Sequence, residues 1–148
     1  MEILDRIEQD LVSSLKAKDE LTTLVLRQLK TVLVNAQIAN DRKDLTEDHV
    51  VKLFRSEVKK RKEAAELYTQ GGRAELAAKE LAEIEIVNRY LPAEMSEQKI
   101  AVKIDEVIKQ LGATGPQATG KVMAAVMKEL GNAASGSVVS ALVKQKLS

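Results

Sequence analysis

The chain is 148 residues long, has a formal net charge of +1 and contains no cysteine. That length suits one domain, or a helical domain with a small companion, and the missing thiols exclude disulfides, thiolate metal sites and a cysteine nucleophile. A dedicated nucleic-acid binder is usually more basic than this, so any polyanion would have to be met by local patches, in a salt-sensitive way.

Apolar residues make up 45% of the chain and charged ones 30%, but only Phe54, Tyr68 and Tyr90 are aromatic. The core is therefore aliphatic, and stacking platforms for unpaired bases are missing. The opening MEILDRIEQDL mixes acids with apolar residues and does not read as a signal peptide. No apolar run approaches the ~18 residues of a membrane helix, so a cytoplasmic, membrane-free protein is expected.

Residues 2–17 read as an amphipathic helix, with Ile3, Leu4, Ile7, Leu11 and Leu15 at helical spacing. Asp19 can cap a second helix running to about Asn40, with a wide apolar stripe through Leu21, Leu24, Val25, Leu29 and Leu33. The connection is short enough to fold the two back as a hairpin. Thr46 caps a third helix that begins with Glu47 and Asp48, where the helix dipole favours acids, and runs through Tyr68 to a stop at Gly71-Gly72. A fourth follows from about Ala74 to Tyr90, with Leu76, Leu81, Ile84, Val87 and Leu91 as its expected buried edge. Pro92 ends it. Ser96 caps a fifth helix over about 97–111. The GATGPQATG stretch reads as the loosest linker. A sixth helix starts near Thr119 or Gly120, and a last one spans about 137–147.

No strand pattern and no fixed-period repeat is visible, so the fold class is all-α. A four-helix hairpin or bundle part over residues 1–91 is followed by a three-helix module over 92–148. Seven lysines against five acids give the second part +2, leaving −1 for the first.

The third helix carries two opposed faces. At 100° per residue, Lys52, Arg55, Lys59 and Lys62 share one stripe, and Val50, Phe54, Val58, Ala65 and Tyr68 share the other. Glu57 and Arg61 fall inside the apolar face in the favourable acid-first i,i+4 order, which reads as a structural ion pair. The basic stripe is a candidate surface for an anionic partner, and reads equally as a solvated face. In the second part, Gly120-Lys121 opens the sixth helix, where backbone N–H groups point outward and can meet phosphate. Lys128 lies on the face of Lys121, and Lys144 and Lys146 follow on the last helix.

Catalytic chemistry is hard to find. The single histidine, His49, sits in the first turn of the third helix beside Glu47 and Asp48 and reads as an exposed polar residue. Glu80, Glu83 and Glu85 read as ordinary carboxylates on an exposed helix. No glycine pattern matches a nucleotide-binding loop, and no residue set suggests a metal or cofactor.

The run Glu57-x-x-Lys60-Arg61-Lys62-Glu63-Ala64-Ala65-Glu66-x-Tyr68, then Gly71-Gly72-Arg73, Glu75-Leu76-Ala77, Glu80 with Glu83-Ile84, and Tyr90-Leu91-Pro92, resembles the YqeY family. So do Leu26-Arg27 and Gly120-Lys121-Val122-Met123. The likeness spans nearly the whole chain. It implies an all-helical fold of four plus three helices, similar in its second part to the C-terminal tail of the GatB component of the glutamine-dependent aspartyl/glutamyl-tRNA amidotransferase, where the tail helps hold tRNA. It also implies a family label of carbon–nitrogen ligase with glutamine as amide donor. The turn Gly131-Asn132-Ala133-Ala134-Ser135-Gly136 departs from that pattern, because related chains carry a basic residue and an Asp there. The nucleophile and the ATP–Mg²⁺ site of amide transfer have no equivalents among these residues.

The resulting expectation is a cytoplasmic accessory protein, non-catalytic and without a cofactor, that binds tRNA or a tRNA-handling enzyme. Lys121, Lys128 and Lys144 would meet phosphate, and Lys52, Arg55, Lys59 and Lys62 would extend the surface. The alternative is a protein–protein adaptor that docks through the first helical hairpin. Amidotransferase activity by the chain itself has the least support.

Overall fold

A computed structural model describes the backbone of residues 1–148 and every side chain except that of Asn132. What Asn132 contributes to the charge-poor turn therefore lies outside the described residues. Seven α-helices account for most of the described chain, and it contains no strand. The chain divides into two compact units, Met1–Leu91 and Pro92–Ser148.

The first unit holds α1 (Glu2–Lys16), α2 (Glu20–Ala39), α3 (Glu47–Gln70) and α4 (Ala74–Asn88). Short polar connections set where these helices begin. The Asp19 carboxylate accepts from the Thr22 N–H at 3.1 Å, and the Thr46 hydroxyl accepts from the His49 N–H at 3.1 Å. Each satisfies a donor that the first helical turn leaves open. α1 pairs with α2, α3 pairs with α4, and α2 packs on α4. At the bend between α1 and α2 a buried bond of 2.8 Å joins the Ser14 and Thr23 hydroxyls.

The core of this unit is aliphatic around one ring. Ile7, Leu26, Leu29, Leu33 and Phe54 are completely buried, and Val87 closes the layer from α4. Full burial of a side chain the size of Phe54 contributes about 2–3 kcal/mol. Tyr90, just past α4, meets Phe54 edge to face at 6.5 Å. Its hydroxyl bonds the Asp10 carboxylate, and the Arg6 guanidinium lies 4.7 Å above its ring. Arg6 also donates to the Arg89 carbonyl at 3.1 Å. The end of α4 is thereby tied to α1.

α4 buries Ile84 and Val87 as its spacing predicts, and Leu91 packs against the same core, but two of the expected leucines stay outside. Leu76 and Leu81 are exposed, whereas Ala77, Glu83, Ile84, Ile86 and Val87 are buried. Toward the Gly71–Gly72 bend the buried positions are the alanines Ala65 and Ala77.

The second unit packs α5 (Glu97–Leu111), α6 (Thr119–Leu130) and α7 (Gly136–Leu147) against one another. Its centre is Ile104, Val122, Val126, Val139 and Val143, all completely buried. The Ser96 hydroxyl caps α5 by accepting from the Lys99 N–H at 3.3 Å. Gly112, at φ 60°, ends α5 in the left-handed conformation that glycine tolerates. The stretch before α6 contains a 3-10 turn, Pro116–Ala118, and a second such turn, Gly131–Ala133, leads into α7. The Met95 N–H donates to the Ala133 carbonyl at 2.7 Å, which pins the start of the unit to that second turn.

Candidate functional site

Arg61 is heavily engaged in the first unit. It is only 8% exposed and reaches three helices. One terminal nitrogen donates to the Glu57 carboxylate at 3.0 Å and to the Glu57 carbonyl at 3.1 Å. The other donates to the Gln28 side-chain oxygen on α2 at 2.6 Å. Its Nε faces the Glu83 carboxylate on α4 at 3.9 Å. The planar guanidinium fork suits this many-sided contact in a way that an ammonium cannot.

Sequence reasoning placed Glu83 on an exposed helix; it is instead 5% exposed and faces inward. Burial pushes its carboxyl above the usual 4.5, the neighbouring Glu80 charge and hydrogen bond push it the same way, and Arg61 and Lys79 oppose them. Gln28 was missed as well. A guanidinium inside an apolar face needs more acceptors than one i−4 glutamate supplies, and that shortage was the available signal.

The basic residues divide differently. Lys52, Lys59 and Lys62 are exposed on α3, and among the described residues none of them forms an ion pair, but Arg55 is half-buried and leaves the open stripe. Lys60 pairs with Glu57 at 3.4 Å. In the second unit Lys121, Lys128 and Lys144 are exposed and likewise without an ion pair among the described residues. Lys121 and Lys128 lie on the side of α6 opposite its buried Val122 and Val126. Lys144 projects from α7 away from Val139. Lys146 is engaged with Asp105 at 2.8 Å. The stripe of α3 belongs to the first unit and the α6 and α7 lysines to the second.

A groove of about 380 Å³ runs along α5, lined by Met95, Gln98, Lys99, Val102, Lys103 and Glu106. Lys103 is held there by Glu129 at 2.8 Å and Glu106 at 3.3 Å. The hydrogen bond from Lys103 to Glu129 is the main cause of the raised lysine pKa, so it stays an ammonium and is a poor nucleophile. His49 is exposed, with its N–H used in capping α3. Among the described residues no three His, Asp or Glu side chains are placed to hold a metal ion, and no helix is long and apolar enough to cross a membrane.

Comparison with known proteins agrees with the residue pattern. The chain is 30% identical over 113 residues to Altered inheritance of mitochondria protein 41, mitochondrial, of Lachancea thermotolerans, covering 74% of this chain and 60% of that protein. It is 27% identical over 113 residues to the protein of the same name in Eremothecium gossypii, covering 75% and 62%. In Candida glabrata the figure is 27% over 118 residues, covering 77% and 64%. The chain thus spans less than two thirds of the length of these curated relatives, which are named as mitochondrial proteins. The family profile of the Yqey-like proteins matches residues 4–147, nearly the whole length, and the chain belongs to that family.

Proposed function

We propose that the protein is a non-catalytic accessory module that engages the phosphate backbone of tRNA. The observation behind this reading is where six exposed lysines without an ion pair among the described residues are placed: Lys121 and Lys128 on one face of α6, Lys144 on α7, and Lys52, Lys59 and Lys62 along α3. The chain has 22 acids for 23 bases, so neutralising partners are abundant in sequence, and yet these lysines form no ion pair among the described residues. Unpaired ammonium groups on rigid helices release counterions from a polyanion, and that release supplies most of sequence-independent affinity. The likeness to an amidotransferase tail points to tRNA as the polyanion. Any carbon–nitrogen ligase chemistry would then belong to a partner enzyme. The placement in this reading is cytoplasmic; the mitochondrial name of the relatives offers the alternative, and fractionation of native cells decides between them.

Titration of labelled tRNA at low and at physiological salt tests the proposal. Binding that weakens steeply with salt, and that weakens further in Lys121→Glu/Lys128→Glu, is the expected result. Absence of binding at low salt removes the reading.

A second reading has its own observation. Val12 and Leu15 are 51% and 50% exposed near the bend between α1 and α2, and Leu24 is exposed just beyond it. An adaptor could dock on these side chains without touching nucleic acid. Partners that survive nuclease treatment in a pull-down, and disappear in Val12→Lys/Leu15→Lys, favour the adaptor.

A further inference from the structure

We infer that the lysine surfaces select double-helical RNA over single strands, an inference that rests on the tRNA reading above and narrows it to paired stems. The same spacing occurs once in each unit. Lys52 and Lys59 on α3 are seven residues apart, and so are Lys121 and Lys128 on α6. Seven residues make nearly two whole turns, so each pair projects from one side of its helix with the stems about 10.5 Å apart along the axis. Lys62 extends the α3 row to about 15 Å. Each row lies on an uninterrupted α-helix, and all five lysines are exposed and without an ion pair among the described residues.

A row of cations held at fixed spacing gains most from phosphates that are also fixed. A duplex presents its phosphates already ordered, whereas a flexible strand must lose conformational freedom to match the row. The usual compensation on the single-strand side is base stacking on exposed aromatic rings. Here the aromatic rings are committed elsewhere. Phe54 is fully buried; Tyr90 is buried against it, with its hydroxyl on Asp10 and its ring under Arg6; Tyr68 is half-buried. The remaining contacts come from lysine, a point charge that meets phosphate and carries no base readout. A-form RNA read through its backbone and shape is the substrate such a surface fits.

Fluorescence anisotropy of the full chain decides the matter with three probes: tRNA, a blunt RNA duplex, and an unstructured single strand with the same number of phosphates. The duplex is expected to bind about tenfold or more tighter than the strand at one salt concentration, with no dependence on duplex sequence. Lys52→Glu/Lys59→Glu weakens duplex binding and lowers the slope of log affinity against log salt by about one for each phosphate no longer neutralised. Lys16→Glu/Lys43→Glu makes the same change in net charge at two other exposed lysines and leaves duplex binding nearly intact; circular dichroism confirms that each variant folds. If tRNA binds but strand and duplex bind equally, the duplex inference falls and the tRNA reading stands. If the Lys52/Lys59 variant binds like the control variant, the assignment of the α3 row falls. If tRNA itself does not bind, both readings fall together.

Discussion

Arg61 on α3 and Glu83 on α4 face each other at 3.9 Å with almost no access to water. The carboxylate nevertheless titrates above its ordinary value, because burial and the adjacent Glu80 outweigh the guanidinium. In the folded protein Glu83 therefore binds its proton more tightly than it does in the unfolded chain. The stability it contributes is complete below the ordinary value of 4.5 and is lost as pH rises through the raised folded value. Replacing Glu83 with Gln imitates the protonated side chain and should abolish that loss. Urea unfolding of both proteins from acidic to mildly alkaline pH should give curves that converge at low pH and separate upward, the variant being the more stable at high pH. Curves parallel across the whole range would show that Glu83 carries no such linkage.

Arg61 holds three acceptors at once, so its removal should cost much more than a surface ion pair. Arg61→Ala leaves the Glu57 carboxylate and the Gln28 oxygen without their donor and the Glu83 carboxylate without its counter-charge in a dry interface, at a cost of about 3–5 kcal/mol. Arg61→Lys recovers only part of this, since an ammonium cannot meet partners on three helices at once. Combining Arg61→Ala with Glu83→Gln should be less damaging than Arg61→Ala alone, by more than Glu83→Gln gains in the native protein, with a coupling of about 1–2 kcal/mol in equilibrium unfolding. Strict additivity would mean that the two groups do not interact.

The helices were legible because their signals are local. Asp19, Thr46 and Ser96 are capping residues with free acceptors, and each stands immediately before the helix it was expected to start. The spacing of Val50, Phe54 and Val58 marks the buried face of α3 without reference to any other element. What was not legible depends on partners far away in sequence. Leu81 is 54% exposed although its spacing suits a core, and the positions that α3 and α4 bury toward the bend are Ala65 and Ala77. Glu83 resembles its exposed neighbour Glu85 in sequence, and only the arrival of Arg61 from α3 distinguishes them. The same holds for the basic stripe: periodicity put Arg55 in line with Lys52 and Lys59, but packing half-buries it.

Tyr90 gives a prediction at the opposite end of the pH scale. Burial, followed by the hydrogen bond to Asp10 and its charge, keeps the phenol protonated well beyond its ordinary value of 10.0. Its share of stability is thus intact through neutral pH and is lost only as pH rises above that value. Tyr90→Phe keeps the ring against Phe54 and removes the bond to a carboxylate, costing about 1.5–3 kcal/mol near pH 7. The difference between the two proteins should shrink under strongly alkaline conditions. Thermal unfolding monitored at neutral and alkaline pH checks both parts.

The bend between α3 and α4 separates backbone strain from packing at two adjacent glycines. Gly71 has φ −82°, a value open to any residue, whereas Gly72 has φ +73°. A Cβ on Gly72 would meet nothing within 4 Å, so crowding cannot account for a loss there. A Cβ on Gly71 would sit 3.4 Å from the Leu67 carbonyl oxygen, an ordinary contact. Gly72→Ala must hold an L-residue in the left-handed region and should cost about 1–2 kcal/mol. Gly71→Ala restricts the unfolded chain without straining the folded one and should be neutral or stabilising by about 0.5 kcal/mol. Urea denaturation of the two single variants should therefore move the midpoint in different directions, or at least by clearly different amounts. Equal losses would mean that the bend in solution does not have the conformation described.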